Sequence, residues 1–294
     1  MSLVSIFDGK RREAIRVFPI RTNFTPNDEM AFVGHPPLPE FRPKDRKTPV
    51  YISVVFTWTR DLAEKILASW RDHYDDVRIG GPAYGDYGDE FVPGMYLKQG
   101  CTITSRGCVK HCGWCPEKNR PLRTLLIKPG WIVQDSNLLA CPEKHVRAVF
   151  DMLRDQGRAI SFPGGLDKHF LQPWHRELFD SILIDKLWFA CDVTSDLPWL
   201  ERAAEILDGI PLRKRGCYTM IGYDAESLSQ AEKRIERVFE LGFMPFCQLF
   251  RPDDHTKIYP PEWRAVQRKW SRPAAYMGRK SPVTSHESPI TDSK

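Results

Sequence analysis

The chain has 294 residues, 41% of them apolar and 12% aromatic, enough to bury one large core or a core with a small satellite domain. Its formal charge of +5 at pH 7 permits nucleic acid as a partner without demanding it. No apolar run approaches the length of a membrane span, and the opening run from Met1 to Arg12 becomes charged too quickly for a secretory signal, so a cytoplasmic protein with no membrane partner is expected.

In chain order, residues 36–49 carry Pro36, Pro37, Pro39, Pro43 and Pro49 among charges and read as an extended connector. Val50 to Thr57 reads as a strand and Asp61 to Trp70 as a helix with Leu62, Ile66 and Trp70 inward. Asp76 to Gly81 reads as a second strand ending in Gly80-Gly81-Pro82, which completes one β-α-β unit. The glycines from Gly80 to Gly88 are not followed by the Gly-Lys-Ser/Thr of a phosphate loop.

Beyond them, short apolar runs alternate with amphipathic ones. Residues 101–105, 131–134, 159–162, 186–191, 216–221 and 244–249 suit six buried strands. Apolar stripes at helical spacing lie between them: Val146, Val149, Phe150 and Leu153; Leu178, Phe179 and Ile182; Leu200, Ala203, Ala204 and Leu207; Leu228, Ala231, Ile235, Val238 and Phe239. Pro121 and Pro129 interrupt residues 117–130, so the helix after the first strand is left open. The alternation predicts an α/β fold, a parallel sheet with covering helices that curls into a barrel or partial barrel. A short helix from Pro261 to Trp270 follows, with Trp263 and Trp270 on one face as a lid. The Ser-, Thr- and Pro-rich tail reads as disordered. The predicted boundaries are 1–96, 97–252, 253–280 for the lid and 281–294 for the tail.

The chemistry is concentrated in the run Ser105-Arg-Gly-Cys-Val-Lys-His-Cys-Gly-Trp-Cys-Pro116. Cys108, Cys112 and Cys115 have C-x3-C-x2-C spacing, close enough for three thiolates to meet at one metal, and thiolates select zinc, copper(I) or iron–sulfur clusters. Structural zinc takes four protein ligands and an iron–sulfur cube usually four cysteines, so three thiols suggest one metal corner left open. The competing reading is a zinc knuckle that recruits Cys101 or His111. A disulfide is disfavoured because the other five cysteines are scattered.

This loop, with Trp114 before its last cysteine and the strand-like run Cys101-Thr-Ile-Thr-Ser105 ahead of it, resembles the cluster loop of radical S-adenosylmethionine (SAM) enzymes. The resemblance implies a partial (β/α)6 radical SAM barrel over residues 97–252. It also implies a [4Fe-4S] cluster on Cys108, Cys112 and Cys115, with SAM chelated at the fourth iron. One electron, supplied by a donor such as flavodoxin or ferredoxin, then cleaves SAM to methionine and a 5′-deoxyadenosyl radical that abstracts hydrogen from the substrate.

Chemistry in such folds gathers at the C-terminal strand ends. The segment Met220-Ile221-Gly222-Tyr223-Asp224-Ala225-Glu226 is similar to the family's fifth-strand segment, although it lacks the usual Pro-Gly pair before the glutamate. The resemblance places Trp114 and the backbone at Ile221 around adenine, with Gly222 permitting close approach and Glu226 bracing the loop. It makes Asp135 and Asp192 candidates for ribose hydroxyls or a substrate donor, and Arg251 a partner for the carboxylate of SAM or an acidic substrate. Cys141, after the second strand, is a candidate catalytic thiol, whereas Cys191, Cys217 and Cys247 read as core. The structural alternatives are caps at Asp135 and Asp192, a turn at Gly164-Gly165 and a solvated strand end at Arg251.

Residues 50–90 resemble a truncated cobalamin-binding domain, but no D-x-H-x-x-G sequence offers a histidine to cobalt, so no cobalamin is expected. Arg264, Arg268 and Lys269, with Arg272, Arg279 and Lys280 beyond, are either a solvated face or phosphate contacts. The substrate class, whether small molecule, peptide or nucleic acid, stays open. The rival function is a non-catalytic zinc or iron–sulfur module that binds nucleic acid.

Overall fold

The computed structural model describes residues 14–252 and 256–277; the predicted tail at 281–294, Arg279 and Lys280 lie outside the described residues. The fold is mixed α/β, built on two parallel sheets.

The first sheet contains β1 (Ile15–Phe18), β2 (Ala31–Val33), β3 (Val50–Ser53) and β4 (Val77–Gly80), in the order β2-β1-β3-β4 and all parallel. Helix α1 (Arg60–Arg71) connects β3 to β4 and buries Ala63, Ile66, Leu67 and Trp70 against Ile15, Val17, Val50 and Ile52. The Trp70 indole donates to the Gly34 carbonyl at 3.0 Å, so the one polar atom of that buried ring is satisfied. The predicted β-α-β unit is therefore the right half of a larger sheet. Leu62, expected inward, lies at the exposed limit, because the buried stripe runs through Ala63 instead.

The second sheet contains β5 (Cys101–Thr102), β8 (Ile132–Val133), β9 (Ile160–Phe162), β10 (Ile184–Ala190), β11 (Arg215–Ile221) and β12 (Met244–Leu249). They lie side by side in chain order, every neighbouring pair parallel. Helices α2 (Glu143–Asp155), α3 (Trp174–Asp180), α4 (Leu197–Ile206) and α5 (Leu228–Glu240) fill the successive connections from β8 to β12. Side chains alternate along each strand. Leu187, Phe189, Cys217 and Cys247 are buried, whereas Trp188, Tyr218 and Phe246 form a half-buried aromatic cluster, with Trp188 and Tyr218 stacked at 4.4 Å.

The first connection differs from the rest. Between β5 and β8 no described residue is helical. The chain leaves the sheet after Thr102 and forms β6 (Ser105–Arg106), which pairs antiparallel with β7 (Arg123–Thr124). The predicted strand over 101–105 is thus two short pieces that belong to different sheets.

Helices α6 (Pro261–Trp270) and α7 (Pro273–Tyr276) follow β12. Val266, Trp270 and Tyr276 share a core with Ile235 and Phe239 of α5 and Cys247 of β12, so the predicted lid is packed on the flank of the second sheet. Ser271 donates its hydroxyl to the Cys247 carbonyl at 2.6 Å, and Tyr276 donates to the Pro245 carbonyl at 3.1 Å. No helix among the described residues is long and apolar enough to cross a membrane.

Candidate functional site

Residues 107–122 form a loop whose neck is the β6–β7 pair. Gly107 has φ +80°, and a Cβ there would lie 2.2 Å from the Pro121 carbonyl oxygen, so the two sides of the neck meet at a residue that only glycine fits. The Cys108 amide donates to the Arg120 carbonyl at 3.0 Å and the Gly107 amide to Glu117 Oε2 at 3.2 Å. Glu117 is paired with Arg120 at 2.7 Å and accepts from Ser136 at 3.1 Å, and the Arg120 guanidinium lies 3.3 Å from the Tyr87 ring centroid. A small polar knot thus replaces the missing helix and fixes where the cysteines leave the sheet.

Cys108, Cys112 and Cys115 are half-buried and line one cavity of about 490 Å³. Its other walls come from Ser136 and Asn137 after β8, the 164–169 segment after β9, and Asp192 to Asp196 after β10. Trp114 lines it too. The cavity therefore sits at the C-terminal ends of the first four strands of the second sheet. Burial pushes the Cys112 and Cys115 thiols up; Lys110 opposes this at Cys112 and the backbone at Glu117 opposes it at Cys115.

Asn137 joins two walls: its Nδ2 donates to Cys108 Sγ at 3.2 Å and to Asp167 Oδ2 at 3.0 Å. Opposite the cysteines, Asp167 Oδ1 is 2.8 Å from His169 Nδ1, and Lys110 Nζ lies 2.9 Å from Nδ1 and 3.1 Å from Nε2 of the same ring. Burial pushes Asp167 up, but the ring and amide bonds from His169 and the nearby Lys110 outweigh it and hold the carboxyl below its ordinary value. Lys168 and Asp196, both largely buried, pair at 3.1 Å. Sequence reasoning did not single out Lys110, His169, Lys168 or Asp196. Lys110 meets His169, and Lys168 meets Asp196, only through contacts distant in the chain.

The predicted site residues divide. Asp192 lines the cavity, and its Oδ1 accepts from the Met220 amide at 2.9 Å; burial raises its carboxyl above the ordinary range. Asp135 stands behind the wall: it is buried and accepts from the Thr104 amide and hydroxyl, both at 2.6 Å, and from the Ser105 hydroxyl at 2.7 Å. Those bonds spend its oxygens on the bend between β5 and β6, so the role expected for it, toward ribose hydroxyls or a substrate donor, gives way to one of holding the cysteine loop. Cys141 is corrected likewise. It lies in the large core cluster, burial pushes its thiol to about 11, and it donates to the Asn137 carbonyl at 3.8 Å.

Ile221 is buried and Gly222 follows it with φ +77°, but the close approach at Gly222 is made by Tyr259, whose ring would lie 2.5 Å from an added Cβ. The Gly222 carbonyl accepts from Tyr259 at 3.2 Å and from Lys257. Neither residue lines the cysteine cavity. Glu226 does brace the segment, forming a bidentate pair with buried Arg234, which also donates to the carbonyls of Cys191 and Met220. Arg251 belongs elsewhere: its guanidinium lies 5.5 Å from the Trp58 ring centroid and lines a second cavity.

No protein-family model matches the chain, and no curated protein matches it. The donor chemistry itself gives the test of fit. Three thiols face one cavity with Trp114 and a carboxylate beside them, which suits a three-cysteine cluster in kind and in placement. Among the described residues no three Cys, His, Asp or Glu side chains are gathered as a ready ligand set, so binding requires residues 108–115 to draw the thiols together.

Proposed function

We propose that the protein is a radical SAM enzyme of the cytoplasm, whose second sheet is a partial (β/α)6 barrel in which a cysteine loop replaces the first helix. The observation that carries this reading is that Cys108, Cys112 and Cys115 line one cavity at the C-terminal ends of parallel strands laid in chain order. It is supported by the C-x3-C-x2-C spacing with Trp114 inside it.

The three thiolates would hold the [4Fe-4S] cluster, leaving the fourth iron to SAM. When bound, that pair supplies one-electron cleavage of a carbon–sulfur bond and a carbon radical able to remove hydrogen from the substrate. The chain's own residues do the rest. Asn137 orients Cys108 and ties it to Asp167. Asp135 holds Thr104 and Ser105, and through them the entry to the cysteine loop. Trp114 and Asp192 shape the space beside the thiols, while Lys110, Asp167 and His169 present a polar wall to the substrate. An electron donor of the flavodoxin or ferredoxin type is the implied partner.

The test is release of 5′-deoxyadenosine, measured by mass spectrometry from anaerobically reconstituted protein given SAM and a strong reductant. Cys112→Ala serves as control. Release from the wild type alone, with about four irons per chain, supports the reading. Iron-replete protein that releases none overturns it, and one zinc per chain favours the non-catalytic binding module.

A further inference from the structure

The second cavity, about 650 Å³, lies at the end of β12 and is bounded by Arg251, Lys257, Arg264, Gln267, Arg268 and Trp58. It sets four cations against one polar amide. Arg264 and Arg268 are one turn apart on α6, whose opposite face is anchored by Val266 and Trp270, so the two guanidiniums project side by side from a rigid support. Arg251 is laid against Trp58, which is itself stacked on Phe56 at 4.4 Å and 19°. Lys257 also lines the cavity, its Nζ 6.0 and 5.3 Å from the Phe250 and Tyr259 ring centroids and donating to the Gly222 carbonyl.

The deciding contrast is that, among the described residues, the cavity arginines have no acidic partner. Elsewhere on the surface Arg147, Arg176 and Arg237 each hold a carboxylate, and on α6 itself Lys269, directed away from the cavity, is paired with Glu232 at 2.8 Å. Among the described residues Arg251, Arg264 and Arg268 have no such partner; Asp253 and Asp254, next in the chain, lie outside them. Like charges held in one concavity repel unless an anion joins them, and guanidinium forks match phosphate oxygens two at a time. The volume falls within the range of ordinary ligand pockets and exceeds what one phosphate fills.

We propose that this cavity binds a ligand carrying two or more phosphates, either a free nucleotide-type diphosphate or the backbone of a nucleic-acid strand. The site is linked to the cysteine cavity by an aromatic chain. Trp114 meets Tyr223 at 4.8 Å, Tyr223 meets Phe250 at 5.0 Å, and Lys257 lies over Phe250. Phosphate anchored beyond that chain would hold the remainder of its molecule near the strand ends.

The experiment is binding of pyrophosphate and ADP by calorimetry, and of fluorescein-labelled single-stranded DNA and RNA oligonucleotides by anisotropy, over a range of salt. Wild type is expected to bind at least one probe. Arg264→Gln/Arg268→Gln, and separately Arg251→Gln, should weaken that binding by on the order of tenfold or more. For a strand, the double variant should also flatten the salt slope by about 1.4. Lys269→Gln should bind as wild type. Pyrophosphate or ADP alone assigns a free ligand, and oligonucleotides alone a strand. The idea fails if none of the four probes binds, or if binding is unchanged in both cavity variants while their circular dichroism and urea midpoints match wild type. No readout passes through iron or SAM, so this site and the radical chemistry stand or fall separately.

Discussion

Arg234 and Glu226 form a bidentate ion pair at 2.7 and 2.9 Å beneath the ends of β10 and β11, with the arginine side chain fully buried and the glutamate partly exposed. The same guanidinium donates to the Cys191 and Met220 carbonyls, so one side chain ties two strand ends to the segment after β11. Glu226→Ala strands that charge in the core and should cost roughly 3–5 kcal/mol. Replacing both partners with apolar residues, as in Glu226→Leu/Arg234→Met, should cost less than the single change. Urea unfolding of the three proteins checks the order; a double variant weaker than Glu226→Ala would remove the argument.

Asp135 gives a pH dependence of defined sign. Burial pushes its carboxyl from 3.8 to about 6, against the opposing bonds from Thr104 and Ser105. A carboxyl raised in the folded state favours folding when protonated. Its contribution is therefore fully present below about pH 4, is lost as pH rises through about 6, and amounts to about 3 kcal/mol across that window. Asp135→Asn should abolish this component, read as the difference between wild-type and variant urea stabilities at pH 4, 5, 6 and 7. Parallel curves for the two proteins would contradict it.

The neck of the cysteine loop makes a prediction about metal without touching a ligand. Gly107→Ala drives a methyl group into the Pro121 carbonyl at a positive φ, and should cost roughly 1–3 kcal/mol and lower iron per chain. Iron and sulfide analysis after anaerobic reconstitution is the measurement. Full iron content in the variant would show that the neck does not shape the loop.

Four single alanine variants separate ligand from core. Cys108→Ala, Cys112→Ala and Cys115→Ala should each lose iron while unfolding near the wild-type denaturant midpoint, because all three cysteines are half-buried and outside the core clusters. Cys141→Ala should keep iron and lose about 1 kcal/mol, as a small core side chain does on truncation. The opposite pattern would exchange the roles of Cys141 and the loop.

Much of the second sheet is legible because its strands are short apolar runs between strongly amphipathic helices. The stripes at Val146 to Leu153 and Leu228 to Phe239 lie within α2 and α5, and all six predicted runs overlap a strand. The first sheet is legible only in part. β1 reads Ile-Arg-Val-Phe, and its buried Arg16, whose terminal nitrogens meet Asp28 and the carbonyls of Gly94 and Met95, breaks the apolar pattern by which a buried strand is recognised. β2 has three residues, too few for a period. The β6–β7 pair rests on contacts about twenty residues apart, which no local window contains. The same holds for the site. Spacing marks the three cysteines, but that Asp135 turns inward to Thr104, or that Arg251 turns away to Trp58, depends on partners thirty and nearly two hundred residues away.

The bonds that Ser271 and Tyr276 make to the Cys247 and Pro245 carbonyls have a consequence for solubility. β12 is an outer strand of the second sheet, and an outer strand with free backbone groups is a template on which another chain can add. Here Pro245 has no amide proton to offer, and its own carbonyl and that of Cys247 already accept the hydroxyls of Tyr276 and Ser271. At the other margin β5 presents only two residues. Capping at one border and brevity at the other therefore leave little unpaired backbone on which a further strand could add.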